Sequence, residues 1–503
     1  PRDTYIVSGG EWNSAYQWRL KSGIYSKVKE NGQLETEFNL NGAGKDFARE
    51  ARLKIPFDPE KKSFKLKYGT ISIPLYSMLK ADDMSDEDIK KEWGEDIFNA
   101  NYKKNWQQDI TKLYNSKLKK RGVVAESDTF DHIKIAVQKE LHKAEVLPET
   151  TKLTLGKEIQ NLSGKALLDG SMHILGVSQG KKPDDVYSVY FKHLLGLDDF
   201  IAEKFGGSKT AQAIKAKIRN TIDKREKVAQ IIPNDLFSKP LSQVFIGNTL
   251  SQRPDQTNPI DILSSSSITT IKGPGGISSD HSIRNPMKVI SQSHFAILDP
   301  ILSPEGSETG VTLHLPTGAK KVGREARTLA YDLLHKKFDY INASQLHGDY
   351  TVLPDQIKWK GGNPSAIDKA TNEDLSTYQL GTPSAKSSLV TALDPKTHEF
   401  VEIPFEKARY VLPSPRNLFS EATNLIPFLQ NNQGNRTMTG AKQPSQGVPL
   451  KYREAPLIQV QSNDPNTSFE EFFGRRFSHQ TPVNGTITDI VKDKLGNTDR
   501  SEE

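Results

Sequence analysis

Residues 63–76 read "SFKLKYGTISIPLY". Phe64, Leu66 and Tyr68 alternate with Lys65 and Lys67, and after Gly69 the pair Ile71 and Ile73 flanks Ser72. Alternation of period two, broken by a glycine, predicts two half-buried strands joined by a turn. Residues 1–80 as a whole read as strands and hairpins. From 83 to 230 the pattern becomes helical and highly charged. "SDEDIKKEWGEDIF" opens on Ser85 followed by acidic residues, which suits a helix N-terminus. In "TAQAIKAKIRNTIDKREKVAQII", Ile214, Ile218 and Ile222 stand four apart, and Lys215, Lys217, Arg219, Lys224, Arg225 and Lys227 cover much of the rest. This is a solvated amphipathic helix or a basic face for a nucleic-acid backbone.

Turn residues dominate residues 241–330, in "SQRPDQTNP", "SSSS", "GPGG" and "SPEGSETG". Such loops, carried on a rigid frame, are where function concentrates. Residues 331–420 read as an α/β appendage with a long loop-like stretch, "GGNPSAIDKATNEDLSTYQLGTPSAKSS". Near the end, Thr486, Thr488 and Ile490 alternate as a short strand before a charged tail. The expected fold class is α+β and multidomain, divided at 1–80, 81–240, 241–330, 331–420 and 421–503, with a helical lobe inserted between β-rich parts.

One segment joins two unlike halves. "LIPFLQNNQGNRTMTG" (425–440) begins with an apolar run, Leu425 to Leu429, which reads as a buried strand or the start of a helix. Gln430, Asn431, Asn432, Gln433, Gly434 and Asn435 follow, and then one cation, Arg436. A surface turn is one reading, since Asn and Gly are the usual turn residues. A preorganised anion site is the other, because a guanidinium beside amides suits phosphate oxygens.

Length and charge narrow the field. A chain of 503 residues is too long for one core, so two to four domains are expected. Mean hydropathy is −0.59, yet 28 Pro, 35 Gly and 21 Phe are spread along the chain, unlike a low-complexity disordered protein. A net charge of +6 permits nucleic-acid binding. The absence of cysteine excludes disulfides, zinc-thiolate sites and thiol catalysis. No apolar run approaches the roughly 20 residues of a membrane span, and "PRDTYIVSGG" has no signal-peptide pattern, so no membrane association and a cytoplasmic location are expected. "NGAGKD" fails as a P-loop, with Asn39 where the first glycine is needed and Asp46 after the lysine. Neither an H-E-x-x-H motif nor a D-x-D-x-D cradle occurs, so no metal ligands are assigned to this chain.

Three segments together carry a resemblance. "SQRPDQTNPIDILSSSSITTIKGPGGI" (251–277), "HFAILDPILSPEGSETG" (294–310) and "LIPFLQNNQGNRTMTGAKQPSQGVPL" (425–450) resemble, in family order, the fork and drug-pocket region, the P-E-G loop and the active-centre segment of the β subunit of multisubunit DNA-directed RNA polymerase. "TYIVSGGEWNSAYQWRLKSGIY" (4–25) and "IIPNDLFSKPLSQVF" (231–245) are similar more weakly. The resemblance implies that Arg436 contacts the triphosphate of the incoming nucleotide as the catalytic cation, with Asn435 and Lys442 also at the substrate. It implies that Gln252 and Asp255 line the RNA side of the active centre and that Gln446 lies near the 3′ end of the hybrid. Lys272, Gly273, Gly275 and Gly276 would form the fork loop where DNA strands separate, with Arg284 also among the nucleic-acid contacts. Asn258, Glu305, Gly306 and Gly440 would be structural parts of the pocket.

Departures from the family pattern are informative. Gln430, Asn431, Asn432 and Gln433 replace acidic or polar family positions, and Lys442 replaces an asparagine. Ser265, Ile268 and Thr270 stand where bacterial enzymes have the His, Arg and Ser that bind rifampicin. Lys192 stands where an aspartate would read a guanine. The family's acidic pair and two lysines, which follow in longer β subunits, are not among these 503 residues. The expectation is therefore the N-terminal half of a split β subunit like those of large-genome tailed bacteriophages, acting in the cytoplasm of an infected bacterium. It would need a C-terminal β polypeptide, β′-like subunits that hold Mg²⁺ and a promoter-specificity subunit, and would act on DNA template, nascent RNA and nucleoside triphosphates. Alternatives are a fragment of a cellular or virion-packaged β subunit, or a non-catalytic nucleic-acid-binding scaffold derived from β.

Overall fold

In the computed structural model, residues 4–40, 53–206, 215–220, 222, 237–277, 279–361, 381–448, 450–452, 454–462, 467–475 and 486 are described. The chain divides into two compact units, Trp18–His193 and a second one made of Pro1–Gln17 with Leu194–Glu503.

Unit Trp18–His193 is built on a five-stranded antiparallel meander, Gly23–Val28, Leu34–Asn39, Leu53–Asp58, Ser63–Tyr68 and Ile71–Pro74. The alternation that predicted the last two strands is borne out. Phe64, Leu66 and Tyr68 are buried, Lys65 is exposed, and Leu66 pairs with Ile73 across the turn. Helices Leu75–Ala81, Trp106–Leu113 and Gly164–Ser178 bury apolar faces in the same core as Phe38, Ile55 and Leu66. Gly170 is needed where the last helix meets the sheet, because a Cβ there would stand 2.8 Å from the Phe38 ring. The predicted helix start at Ser85 is also found. Its hydroxyl accepts from the amide of Asp88 at 3.0 Å and caps helix Asp86–Trp93.

The second unit contains a sheet ordered Ala319–Val322, Glu325–Asp332, Tyr410–Val411, Thr351–Val352, Leu389–Leu393 and Phe400–Pro404, with Lys337–Asn342 also paired to Glu325–Asp332. Its core holds Tyr331, Val352, Val390 and Val411. Between 331 and 420 the described residues contain one four-residue α-helix, Ala343–Leu346, and strand is the commoner regular structure among them. Strand Ile268–Thr270 runs antiparallel to Thr312–His314 and parallel to Tyr16–Gln17, which ties the two sequence-distant parts of the unit together.

One expectation is corrected. The run Leu425–Leu429 is not a buried strand. Leu425 ends the short helix Glu421–Asn424, Phe428 is 59% exposed, and a 3₁₀ turn begins at Leu429. Pro427 disfavours helix at Ile426 and has no N–H for a ladder. Phe428 then takes left-handed backbone, φ 54°, which reverses the chain. Of the basic segment, residues 215–220 and 222 are described. Ile222, placed on the apolar stripe by its spacing, is 55% exposed. Ile214 and the rest of that segment, "NGAGKD", residues 362–380, and Thr488 and Ile490 lie outside the described residues.

Candidate active site

The site is framed by two helices of the second unit. The supporting helix, Pro259–Ser266, begins at Asn258, whose Oδ1 accepts from the amide of Ile260 at 2.9 Å. Proline at its first position suits a helix start. Its C-terminal carbonyls are met by the serine run. Ser265, Ser266 and Ser267 donate to the carbonyls of Ile262, Leu263 and Ser264 at 2.8, 2.7 and 2.9 Å.

The site helix, Gly434–Gln446, carries Asn435, Arg436, Gly440, Lys442 and Gln446. Its buried side is Thr437 and Ala441, four apart, with Ala441 packed against Leu302 and Ala422. At 3.6 residues per turn, Arg436, Thr439, Gln443 and Gln446 fall within about 80° of one another, along about 15 Å of helix. All four are exposed, so they form one outward stripe. Gln443 was not picked out from the sequence, although its spacing of seven from Arg436 is the signal that places it on this face.

Electrostatics separate the candidate cations. Lys272 is bound to Asp280 at 2.8 Å and to Glu308 at 2.5 Å, and these hydrogen bonds raise its pKa. Lys442 is only 20% exposed and is paired with Glu305 at 3.0 Å. The Arg436 guanidinium has no ion-pair or hydrogen-bond partner among the described residues and points to solvent. It sits in the first turn of a helix whose N-cap, Gln433, supplies no side-chain cap. Unfulfilled N–H groups and the positive end of the helix dipole therefore stand beside a free guanidinium. Asn435 is exposed in the same turn, while Asn432 is bonded to the carbonyl of Phe428 at 2.9 Å and shapes the preceding loop.

The remaining predicted residues sort by contact. Gln252 is exposed on a two-residue strand paired with Gly10–Ser14. Asp255 accepts from the amide and hydroxyl of Thr257 at 2.9 and 2.7 Å, and the backbone bond holds its carboxyl below the usual range. Gly273 and Gly275 have φ of 110° and 76°, and a Cβ at Gly276 would meet the Ile271 carbonyl at 2.6 Å. The glycines of this loop are thus required by its own fold. Arg284 and Gln446 are exposed, and Gly306 has φ 78° beside the exposed Glu305. Gly440 faces Ile426 with 3.6 Å available for a Cβ, so no close packing demands a glycine there. Ser265 and Thr270 are buried. The Ser265 hydroxyl accepts from Asn13 at 2.6 Å, and the Thr270 hydroxyl accepts from the Lys272 amide at 3.1 Å.

Beneath the site lies a group that the sequence did not reveal. Asp299 is fully buried and accepts from the amides of Ile301 and Ser420 at 2.8 and 2.9 Å and from the Thr423 hydroxyl at 2.6 Å. It fastens helix Glu421–Asn424, and so the chain leading to the site helix, to the 299–301 loop. Buried His314 lies nearby, and burial pushes its pKa down to about 4, so it is neutral.

Comparison with known proteins finds relatives named DNA-directed RNA polymerase subunit beta. The DNA-directed RNA polymerase subunit beta of Prochlorococcus marinus strain AS9601 is 23% identical over 548 aligned residues, covering 99% of this chain and 45% of that protein. The chain is β-subunit-like. The same subunit of Syntrophobacter fumaroxidans is 29% identical over 240 residues, covering 46% of this chain and 16% of that one. That of Fusobacterium nucleatum is 27% identical over 317 residues, covering 61% and 25%. The β-like chain thus spans less than half the length of these curated relatives. No protein-family model matches it.

Proposed function

We propose that this chain is part of the β subunit of a DNA-directed RNA polymerase and that Arg436 grips the phosphates of the incoming nucleotide. The observation that carries the proposal is the uncommitted guanidinium at an uncapped helix N-terminus, on a stripe that continues to Gln446. In template-directed synthesis the RNA 3′-oxygen attacks the α-phosphorus, a phosphodiester bond forms, and pyrophosphate leaves. Charge accumulates on the departing β- and γ-phosphates, and a preorganised cation there stabilises the transition state. Asn435 and the first helix amides would share that load, and Gln446 would face the RNA 3′ end.

Polymerases of this class use Mg²⁺. The first turn of the site helix offers a guanidinium and amides and no carboxylate, a set that does not fit a divalent cation. No group of three or more His, Asp or Glu able to hold a metal occurs among the described residues. We assign the ion to a β′-like partner. A further β polypeptide would complete the subunit. The phage-type split form is favoured by the divergent pocket, with amides at 430–433 and Lys442 in place of asparagine.

Mass spectrometry of chains that copurify with the native protein, followed by extension of an RNA primer on a DNA template, tests the proposal. Copurification with chains bearing a D-F-D-G-D motif, and template-dependent extension, is expected. A stable complex that binds nucleic acid but adds no nucleotide would instead favour the scaffold alternative.

A further inference from the structure

The C-terminal end of the site helix is held in an unusual way. Pro444 lies inside its last turn and contributes no N–H. The carbonyls of Pro444 and Gly447 bracket Gln446, and both accept from one side chain. Asn258 Nδ2 donates to them at 2.7 and 3.0 Å. Its Oδ1 meanwhile caps the supporting helix through Ile260. Asn258 is 5% exposed, so its amide is fixed in orientation on both sides.

We infer that Asn258 is a positioning residue that sets the direction of Gln446 by clasping the carbonyls on either side of it. The inference rests on the polymerase function proposed above and names a residue on which the geometry at the RNA 3′ end depends. Both amide hydrogens are used on the site helix and the oxygen on the supporting helix, so only a side chain with this donor–acceptor pair does both jobs. Asn258→Asp separates them. Aspartate is at least as good an N-cap, but it points an oxygen at two carbonyls and abolishes the clasp.

The test uses the polymerase complex purified with its native partner chains. Rapid-quench single-nucleotide addition is measured for Asn258→Asp, Gln446→Ala and the double variant, with thermal unfolding in parallel. Misplacement at a reacting centre costs about tenfold to a hundredfold in rate. Asn258→Asp should lower kcat in that range with KM for the nucleotide within about twofold, since the phosphate contact at Arg436 is untouched. Because Asn258 acts through Gln446, the double variant should be no slower than the slower single one. Asn258→Ser, which keeps the cap but cannot reach the carbonyls, should reproduce the loss and guards against misfolding of the aspartate variant. A native rate in both Asn258 variants, or losses that multiply in the double variant, overturns the inference. If Arg436→Ala keeps the native rate, the functional reading itself fails. If Arg436→Ala is slow while both Asn258 variants are normal, only the role of Asn258 fails.

Discussion

Asp299→Asn keeps the shape of a buried side chain and removes its charge. The carboxylate accepts three hydrogen bonds, from the amides of Ile301 and Ser420 and from the Thr423 hydroxyl, at 2.8, 2.9 and 2.6 Å. Asparagine offers one oxygen. Placed toward Ser420 and Thr423, it keeps two bonds, each about 1 kcal/mol weaker without the charge. Its NH₂ then faces the Ile301 amide, and an orphaned buried N–H costs about 1–3 kcal/mol. Relief of burying a full charge offsets part of this. The expected net loss is about 3 kcal/mol, large for a change of one atom. Thermal unfolding reads the total, and amide hydrogen exchange reads the place. Exchange at Ile301 and Ser420 should accelerate, while Leu66 and Ile73, in the other unit, should be unchanged. A loss below about 0.5 kcal/mol would refute the claim that this carboxylate fastens the approach to the site helix.

Three further outcomes are expected. His314 and His347 are both pushed down to about 4 by burial; the unfolded chain binds these protons first, so stability is fully present above about pH 6.5 and is lost as pH falls toward 4, and His314→Gln should flatten that slope in acid unfolding. Gly440→Ala should leave the site helix intact and stabilise the protein by about 0.5–1 kcal/mol in thermal melts, since 3.6 Å is free for the new methyl group and alanine is the better helix former; a loss of more than about 1 kcal/mol would show that the Ile426 contact is tighter than its spacing. Transcription by the assembled enzyme should resist rifampicin, because Ser265 and Thr270 are buried and bonded internally and Ile268 offers no polar group; inhibition at concentrations that stop a sensitive bacterial enzyme would show residues 264–270 to be misaligned.

What could be read in advance depended on how far apart the partners lie. Strands 63–74 were legible because each residue's fate follows from its neighbours two positions away. The cap at Ser85 needs only Asp88. The buried-strand reading of Leu425–Leu429 failed because an apolar run does not reveal whether anything covers it, and the left-handed turn at Phe428 has no composition signal. The pairing of Lys272 with Asp280 and Glu308, 8 and 36 positions away, has no local signal either. Asp299 and Asn258 act on partners more than 120 and 180 positions away. Nothing local in the sequence reveals those partners. Arg436 was legible as a candidate because amides and a glycine surround it. That it has no partner among the described residues, while Lys272 and Lys442 are ion-paired, emerges only from the fold.

Single-nucleotide addition by the assembled enzyme carrying Arg436→Ala tests the central claim most directly. A charge-assisted phosphate contact and its place at a helix N-terminus together suggest about a 10²-fold loss in kcat/KM. Binding of a preformed RNA–DNA scaffold should change little, because the contact is to the nucleotide. Arg436→Lys should recover part of the rate, since an ammonium keeps the charge and loses the planar fork. Lys442 lies about 9 Å along the helix and about 120° around it, and is held by Glu305. Adding Lys442→Asn to Arg436→Ala should therefore slow the enzyme little further. A double variant that adds nucleotides at the native rate would contradict the account and make Arg436 an ordinary surface residue of a helix start.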